Sequence, residues 1–216
     1  LDYSPVSCYN EFNDIIFFWR IIMALKMRFL YYSGKNKIKA MAAPYTKMTF
    51  IPTGGISPAN IKKYLAFNKV VACGGSFMVK DALINEGKFD EIEALTKNAV
   101  ALMHGFEIVH VGINSENKEE ATKTADMLCK LFLLNPDVRS KATFAGTKFE
   151  VMHTMFRGKY GHIAIGCNFP DRARAYLERL GVEFDESTAT YDEKGNLKFV
   201  YMKEDIGGFA FHLIKK

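Results

Sequence analysis

Two glycine pairs constrain this chain more than any other feature: Pro52-Thr53-Gly54-Gly55-Ile56 and Ala72-Cys73-Gly74-Gly75-Ser76-Phe77. Each follows a short β-forming run and precedes a helix-forming stretch. A glycine pair at the end of a strand lets the backbone approach an anion closely, and free N–H groups there and at the next helix start can point at it. This is the layout of a phosphate cradle. Successive strand–glycine pair–helix units suggest the last two or three β/α units of a (β/α)8 barrel, where such a site commonly sits. Too few residues precede the first pair for six earlier units, which would need roughly 150. The expectation is therefore a partial barrel.

A chain of 216 residues, 49% hydrophobic, can bury a core and has room for one or two domains. The net charge of +5 comes from 29 basic residues interspersed with 24 acidic ones. No basic stripe with interleaved aromatics emerges, which argues against nucleic acid as a partner. Cys8, Cys73, Cys129 and Cys167 lack CxxC spacing, so neither a zinc knuckle nor a disulfide framework is indicated and a cytoplasmic location is expected. The apolar run at 15–30 is interrupted by Arg20, Lys26 and Arg28, which argues against a membrane span or a signal peptide.

Residues 1–36 are dense in aromatics without a sustained period, and are read as an aberrant N-terminal segment, translated out of frame or from a damaged gene. From Lys37 the pattern becomes α/β. It predicts a helix over 37–43, strands over 48–51 and 70–73, and a helix over 58–67 with Ser57 as N-cap and Pro58 at N1. A short helix over 78–85 follows, then an amphipathic one over 90–103 carrying Ile92, Leu95, Ala99 and Leu102 on one face.

The pattern changes after Gly105. Residues 106–114 read as a strand, 118–132 as a helix, and 142–152 as two strands turning at Gly146. The order recurs with a strand over 162–168, a helix over 171–180 with Ala173, Tyr176, Leu177 and Leu180 apolar, and strands over 182–191, 197–203 and 209–214. The matching starts His110-Val111-Gly112-Ile113 and His162-Ile163-Ala164-Ile165 argue for an internally repeated βαβββ unit. The predicted organisation is 1–36, an α/β part over 37–104 and an α+β domain over 105–216. His104 and His153 fall outside the repeated pattern and are expected at the surface.

Ile38-Lys39-Ala40-Met41-Ala42-Ala43-Pro44-Tyr45, the stretch 51–60 and the stretch 70–79 together resemble the C-terminal part of the KDPG/KHG aldolase family. These lyases cleave 2-keto-3-deoxy-6-phosphogluconate or 4-hydroxy-2-oxoglutarate through a lysine Schiff base, giving pyruvate and an aldehyde such as glyceraldehyde 3-phosphate, and need no cofactor. The resemblance implies that Gly54, Gly55, Gly75 and Ser76 contact a substrate phosphate and that Thr53 lines the same mouth. It implies a small-molecule substrate, a phosphorylated keto-sugar acid, and a homo-oligomeric parent. The family's Schiff-base lysine lies in a Lys-Phe-Phe-Pro-Ala-Glu segment, where this chain has Met27-Arg28-Phe29-Leu30-Tyr31-Tyr32. Lys26 is the nearest lysine, and the strand that would carry the proton-shuttling glutamate has no counterpart. Aldolase activity is therefore expected to be absent, and the catalytic residues stay unassigned.

Residues 105–216 resemble the vicinal oxygen chelate (VOC) superfamily, the glyoxalase-like domains in which paired βαβββ modules form a metal-binding cup. Ligands there are His or Glu on the first and last strand of each module. The positions fall on His110, Glu150, His162 and His212, which would suit Zn, Ni, Mn or Fe. Three readings stay open: an aldolase-family chain without aldolase activity, a VOC module with its own metal-dependent lyase, isomerase or dioxygenase-like activity, and a non-catalytic binding or dimerisation module.

Overall fold

The computed structural model describes residues 35–216, with side chains from Ile38 onward. Lys26, Cys8 and the aromatic-dense segment lie outside the described residues. The chain divides into two compact units, Leu1–Phe77 and Met78–Lys216.

In the first unit, α1 (Lys35–Ala42) precedes two extended runs and α2 (Ile61–Leu65) lies between them in the chain. The runs pair in parallel only through isolated bridges, Phe50 with Val70 and Thr53 with Gly74. Hydrogen bonds from Phe50 N to Lys69 O (2.7 Å), Val71 N to Phe50 O (3.1 Å) and Gly74 N to Pro52 O (2.9 Å) hold them. The predicted pairing is present, but Pro52 has no N–H to extend a ladder, so full strands do not develop. The α2 helix starts later than the sequence suggests. Asn60, not Ser57, is its N-cap, and Asn60 Oδ1 instead accepts from Ser57 N at 2.9 Å.

The second unit opens with α3 (Asp81–Asn85) and α4 (Phe89–His104), then carries ten elements. They are β1 (Glu107–Ile113), α5 (Lys118–Phe132), β2 (Pro136–Val138), β3 (Ala142–Ala145), β4 (Phe149–Met152), β5 (Gly161–Cys167), α6 (Pro170–Arg179), β6 (Phe184–Tyr191), β7 (Leu197–Met202) and β8 (Phe209–Lys215). All eight strands form one sheet in the order β2-β3-β4-β1-β5-β8-β7-β6. Each βαβββ module contributes four adjacent strands, and the modules meet where β1 pairs antiparallel with β5.

Registers within the modules coincide. In the first, Gly112 on β1 lies opposite Glu150 on the parallel β4; in the second, Ala164 on β5 lies opposite His212 on the parallel β8. His110 and His162 each stand two residues before that pairing position. The internal repeat is therefore structural, and it makes Glu150 and His212 equivalents of one another.

Helices pack on one face of the sheet. Asn117 caps α5 by accepting from Glu120 N at 3.0 Å, and the helix's Ala121 and Ala125 pack on Val151 with Ile113 and Leu128. Ala173 of α6 packs on Cys167, Phe184, Leu197, Val200, Met202 and Leu213. Strand alternation sends His110, Glu150, His162 and His212 to the other face.

Some expectations fail at element ends. Leu102 and Leu180, expected on apolar faces, are exposed; Leu180 lies past the end of α6, as its C-cap. β2 escapes the pattern because it is three residues long, exposed and begins with proline, which an edge strand tolerates. His104 and His153 are buried, contrary to the surface placement read from sequence. His104 stacks on Phe106 and Tyr176, while His153 Nε2 lies 2.9 Å from Thr143 Oγ1. Both close an element against its neighbour, a role that no periodicity marks.

Candidate metal centre

The four central strands, β4, β1, β5 and β8, each present one metal-ligating side chain to the face away from the helices. The register brings them together. His110 lies opposite Ala164, His162 opposite Gly112, and His212 opposite Ala164 from the other side. Gly112 and Ala164 are thus the small residues between the large ones. At Gly112 the space is required: a Cβ there would stand 2.1 Å from the His162 ring.

The donors converge. His110 Nε2 lies 3.2 Å from His162 Nε2, and Glu150 Oε2 lies 3.1 Å from the former and 3.2 Å from the latter. His212 offers a ring nitrogen, so that the three imidazoles have ligating atoms within 4.8 Å of one another. Ligands sharing one ion at about 2.0–2.2 Å stand about 3.0–3.5 Å apart, so the triangle formed by His110, His162 and Glu150 has the spacing of a ligand set. The donors, imidazole nitrogen and carboxylate oxygen, suit a divalent first-row transition metal.

Charge states suit that use. Burial pushes the Glu150 carboxyl up, but hydrogen bonds from His110 and His162 outweigh it and hold the group at about 2. Burial, with His162 and His110 alongside, holds His212 at about 3, so its ring is neutral and a lone pair is available. Nδ1 of His162 and of His212 is buried with no hydrogen-bond partner. Aromatic packing adds to the Nε2 contacts of His162 in orienting these rings. Phe199 and Tyr201 lie 4.5 and 4.9 Å from the His212 ring centroid, Phe144 lies 6.0 Å from that of His110, and Phe156 lies 6.3 Å from that of His162. Burial, with Glu150 adding, pushes the Tyr201 phenol up to about 12. None of these wall residues stands out in the sequence, because rings on two strands and a loop meet only through tertiary pairing.

A shallow cleft of about 360 Å³, lined by residues that include Asn114, Ser115, Glu120 and Lys123, holds none of the four donors. Chemistry belongs with the donors, since nothing in the cleft can bind a transition metal as three imidazoles can.

In the first unit the structure sets the two glycine pairs side by side through the Thr53–Gly74 bridge. Gly54 and Gly55 take left-handed φ values of 82° and 68°. At Gly75 a Cβ would stand 2.8 Å from the Phe77 ring. Ser76 is exposed and Thr53 half-buried.

Residues 25–95 match the family model described as KDPG and KHG aldolase. The 2-dehydro-3-deoxy-phosphogluconate aldolase of Haemophilus influenzae is 41% identical over 70 residues, 32% of this chain and 33% of that protein. The KHG/KDPG aldolase of Escherichia coli K12 is 42% identical over 67 residues, 31% of this chain and 32% of that protein. The chain thus spans about a third of the length of the curated relatives it matches. Among solved structures, a hypothetical protein of Bacillus halodurans C-125 is 15% identical with a TM-score of 0.37, covering 51% of this chain and 94% of its own. A Streptomyces coelicolor methylmalonyl-CoA epimerase in complex with 2-nitronate-propionyl-CoA gives 14% and 0.36, covering 51% and 94%.

Proposed function

We propose that the paired βαβββ unit is a metal-dependent small-molecule site of VOC type, holding a divalent first-row transition metal through His110, Glu150, His162 and His212. The observation that carries this reading is the convergence of three imidazoles from three adjacent strands of the sheet, with Glu150 of a fourth strand within 3.1 and 3.2 Å of two of them. When bound, the ion would supply Lewis acidity to a substrate that chelates it through two adjacent oxygens. The chain's own residues supply the rest. Glu150 stays ionised and offsets part of the ion's charge, the neutral ring of His212 leaves a lone pair free, and Phe144, Phe156 and Tyr201 place aromatic rings beside the imidazoles.

Residues 25–95 form, in this proposal, an aldolase-type segment whose Thr53, Gly54, Gly55, Gly75 and Ser76 contact a phosphate but which lacks Schiff-base chemistry. The departure at Met27-Arg28-Phe29-Leu30-Tyr31-Tyr32 supports it, since a Schiff base needs a lysine held deprotonated in a dry pocket. Borohydride reduction with pyruvate is expected to leave the chain unmodified, and a pyruvyl-lysine mass would refute that half.

The metal reading is tested by dialysing the chain against Zn2+, Ni2+ or Mn2+ and measuring bound metal. One equivalent per chain is expected. His162→Ala should lose it while keeping the far-UV spectrum of the parent, and an unchanged metal content in that variant would overturn the proposal.

A further inference from the structure

We infer that Arg157 is the anion-recognition residue of this site, and that the site takes a small monoanionic oxo acid whose carboxylate meets the Arg157 guanidinium while its adjacent oxygens face the histidine cluster. This rests on the metal-site reading above.

Arg157 lies on the loop between β4 and β5, which runs along the wall of the donor cluster. Asn114, directly after β1, fixes that loop twice: its Oδ1 accepts from Phe156 N at 3.2 Å, and its Nδ2 donates to Gly158 O at 2.9 Å. Phe156 is thereby held with its ring 6.3 Å from that of His162 and 6.2 Å from that of Tyr201. The Arg157 guanidinium carbon sits 5.0 Å from the Tyr201 ring centroid, and Tyr201 in turn lies against His212. The cation is thus one aromatic ring away from the imidazoles.

The guanidinium is only partly used. Its Nη2 donates to Asp185 Oδ2 at 2.7 Å, and its side chain keeps 37% of its surface exposed. A guanidinium carries five N–H donors in a planar fork suited to a carboxylate, so donors remain for a ligand. Asp185 acts as a positioning residue. Its Oδ1 accepts from Ser187 N and Ser187 Oγ at 3.1 and 2.6 Å, which leaves Oδ2 to fix Arg157.

Charge sets the class of ligand. With a divalent ion in place, Glu150, Arg157 and Asp185 leave the site with a single net positive charge, the three imidazoles being counted as neutral. A monoanion balances it, whereas a phosphate dianion leaves uncompensated negative charge beside Asp185 and Glu150, and like charges held close are costly.

The test uses the full chain loaded with Zn2+, titrated calorimetrically with pyruvate and 2-oxopentanoate, and with methyl pyruvate as the uncharged control. Wild type should bind at least one of the two acids more tightly than the ester. Arg157→Gln should weaken acid binding at least tenfold while leaving zinc stoichiometry and ester binding unchanged, and Arg157→Lys should restore part of it. Failure of wild type to take up zinc would overturn the metal reading and this inference together. Zinc uptake without acid binding, or equal acid binding by Arg157→Gln, would overturn this inference alone.

Discussion

Gly112 shows how one residue can decide whether a site exists. It pairs with Glu150 on one side and His162 on the other, and a Cβ at that position would stand 2.1 Å from the His162 imidazole. Interiors transmit such an overlap to neighbours instead of absorbing it. Gly112→Ala is therefore expected to force the His162 ring off its present position, costing roughly 1–3 kcal/mol of stability and weakening zinc binding at least tenfold. Urea melts and zinc titration against a chelator of known affinity check both effects; unchanged zinc affinity would show that the ring position is not set by this glycine. Sequence marks the position only weakly. The His-x-Gly and His-x-Ala pairs suggest a repeat, but the need for a small side chain comes from a strand 50 residues away.

Among the elements, α4 is tied to the second module through its end. Asn168 N donates to His104 O at 2.8 Å, and Asn168 Nδ2 donates to the carbonyls of Leu102 and Met103 at 3.2 and 3.1 Å. His104 itself is 1% exposed, with neither ring nitrogen hydrogen-bonded. Burial, then Arg179 and Arg172, hold its pKa at about 4 against an ordinary 6.5. Its folded pKa is depressed, so between these values the unfolded chain binds a proton that the folded chain does not. Stability from this group is complete above pH 6.5 and declines as pH falls toward 4, by up to about 3 kcal/mol. His104→Phe keeps the stack with Phe106 and Tyr176 but cannot titrate. The stability of wild type relative to this variant should fall over that window, measured by urea melts at pH 7, 5.5 and 4. A difference constant with pH would mean that His104 already carries its proton, or is solvated, in the folded state.

Across the whole molecule, the modules of the second unit are unequal. β2, β3 and β4 have 3, 4 and 4 residues, whereas β6, β7 and β8 have 8, 6 and 7. The larger buried cluster belongs accordingly to the second module, while the first has two small ones, Ala121 and Ala125 of α5 on Val151, and Ala142 with Phe144 and Met152. The pairing of β1 with β5 joins both into one sheet, which predicts a single cooperative unit. A fragment spanning 78–216 is expected to melt in one transition, and saturating Zn2+ at a hundred times its Kd should add about 2.7 kcal/mol. Two separate transitions, or no shift with zinc, would contradict this. Among the described residues no helix is long and apolar enough to cross a membrane.

The sequence by itself determined the order of elements in the second unit apart from the short β2, the repeat that relates its halves, and the strand positions of His110, His162 and His212. These follow from local rules: a two-residue period fixes which side chains share a strand face, and helix caps and glycine turns fix where elements end. It also marked the glycine pairs in the first unit and the parallel runs that carry them. Only the tertiary structure decided how close the donors stand, since interatomic distance across strands depends on register, and register is a property of pairing and not of any one strand. The same holds for Phe156, brought to His162 by a loop held by Asn114, for Tyr201 of β7, which lies against His212, and for Arg157, which lies over Tyr201. It holds as well for the burial of His104 and His153, which sequence places at the surface because each lies at an element's end, where the neighbour that covers it is distant in the chain.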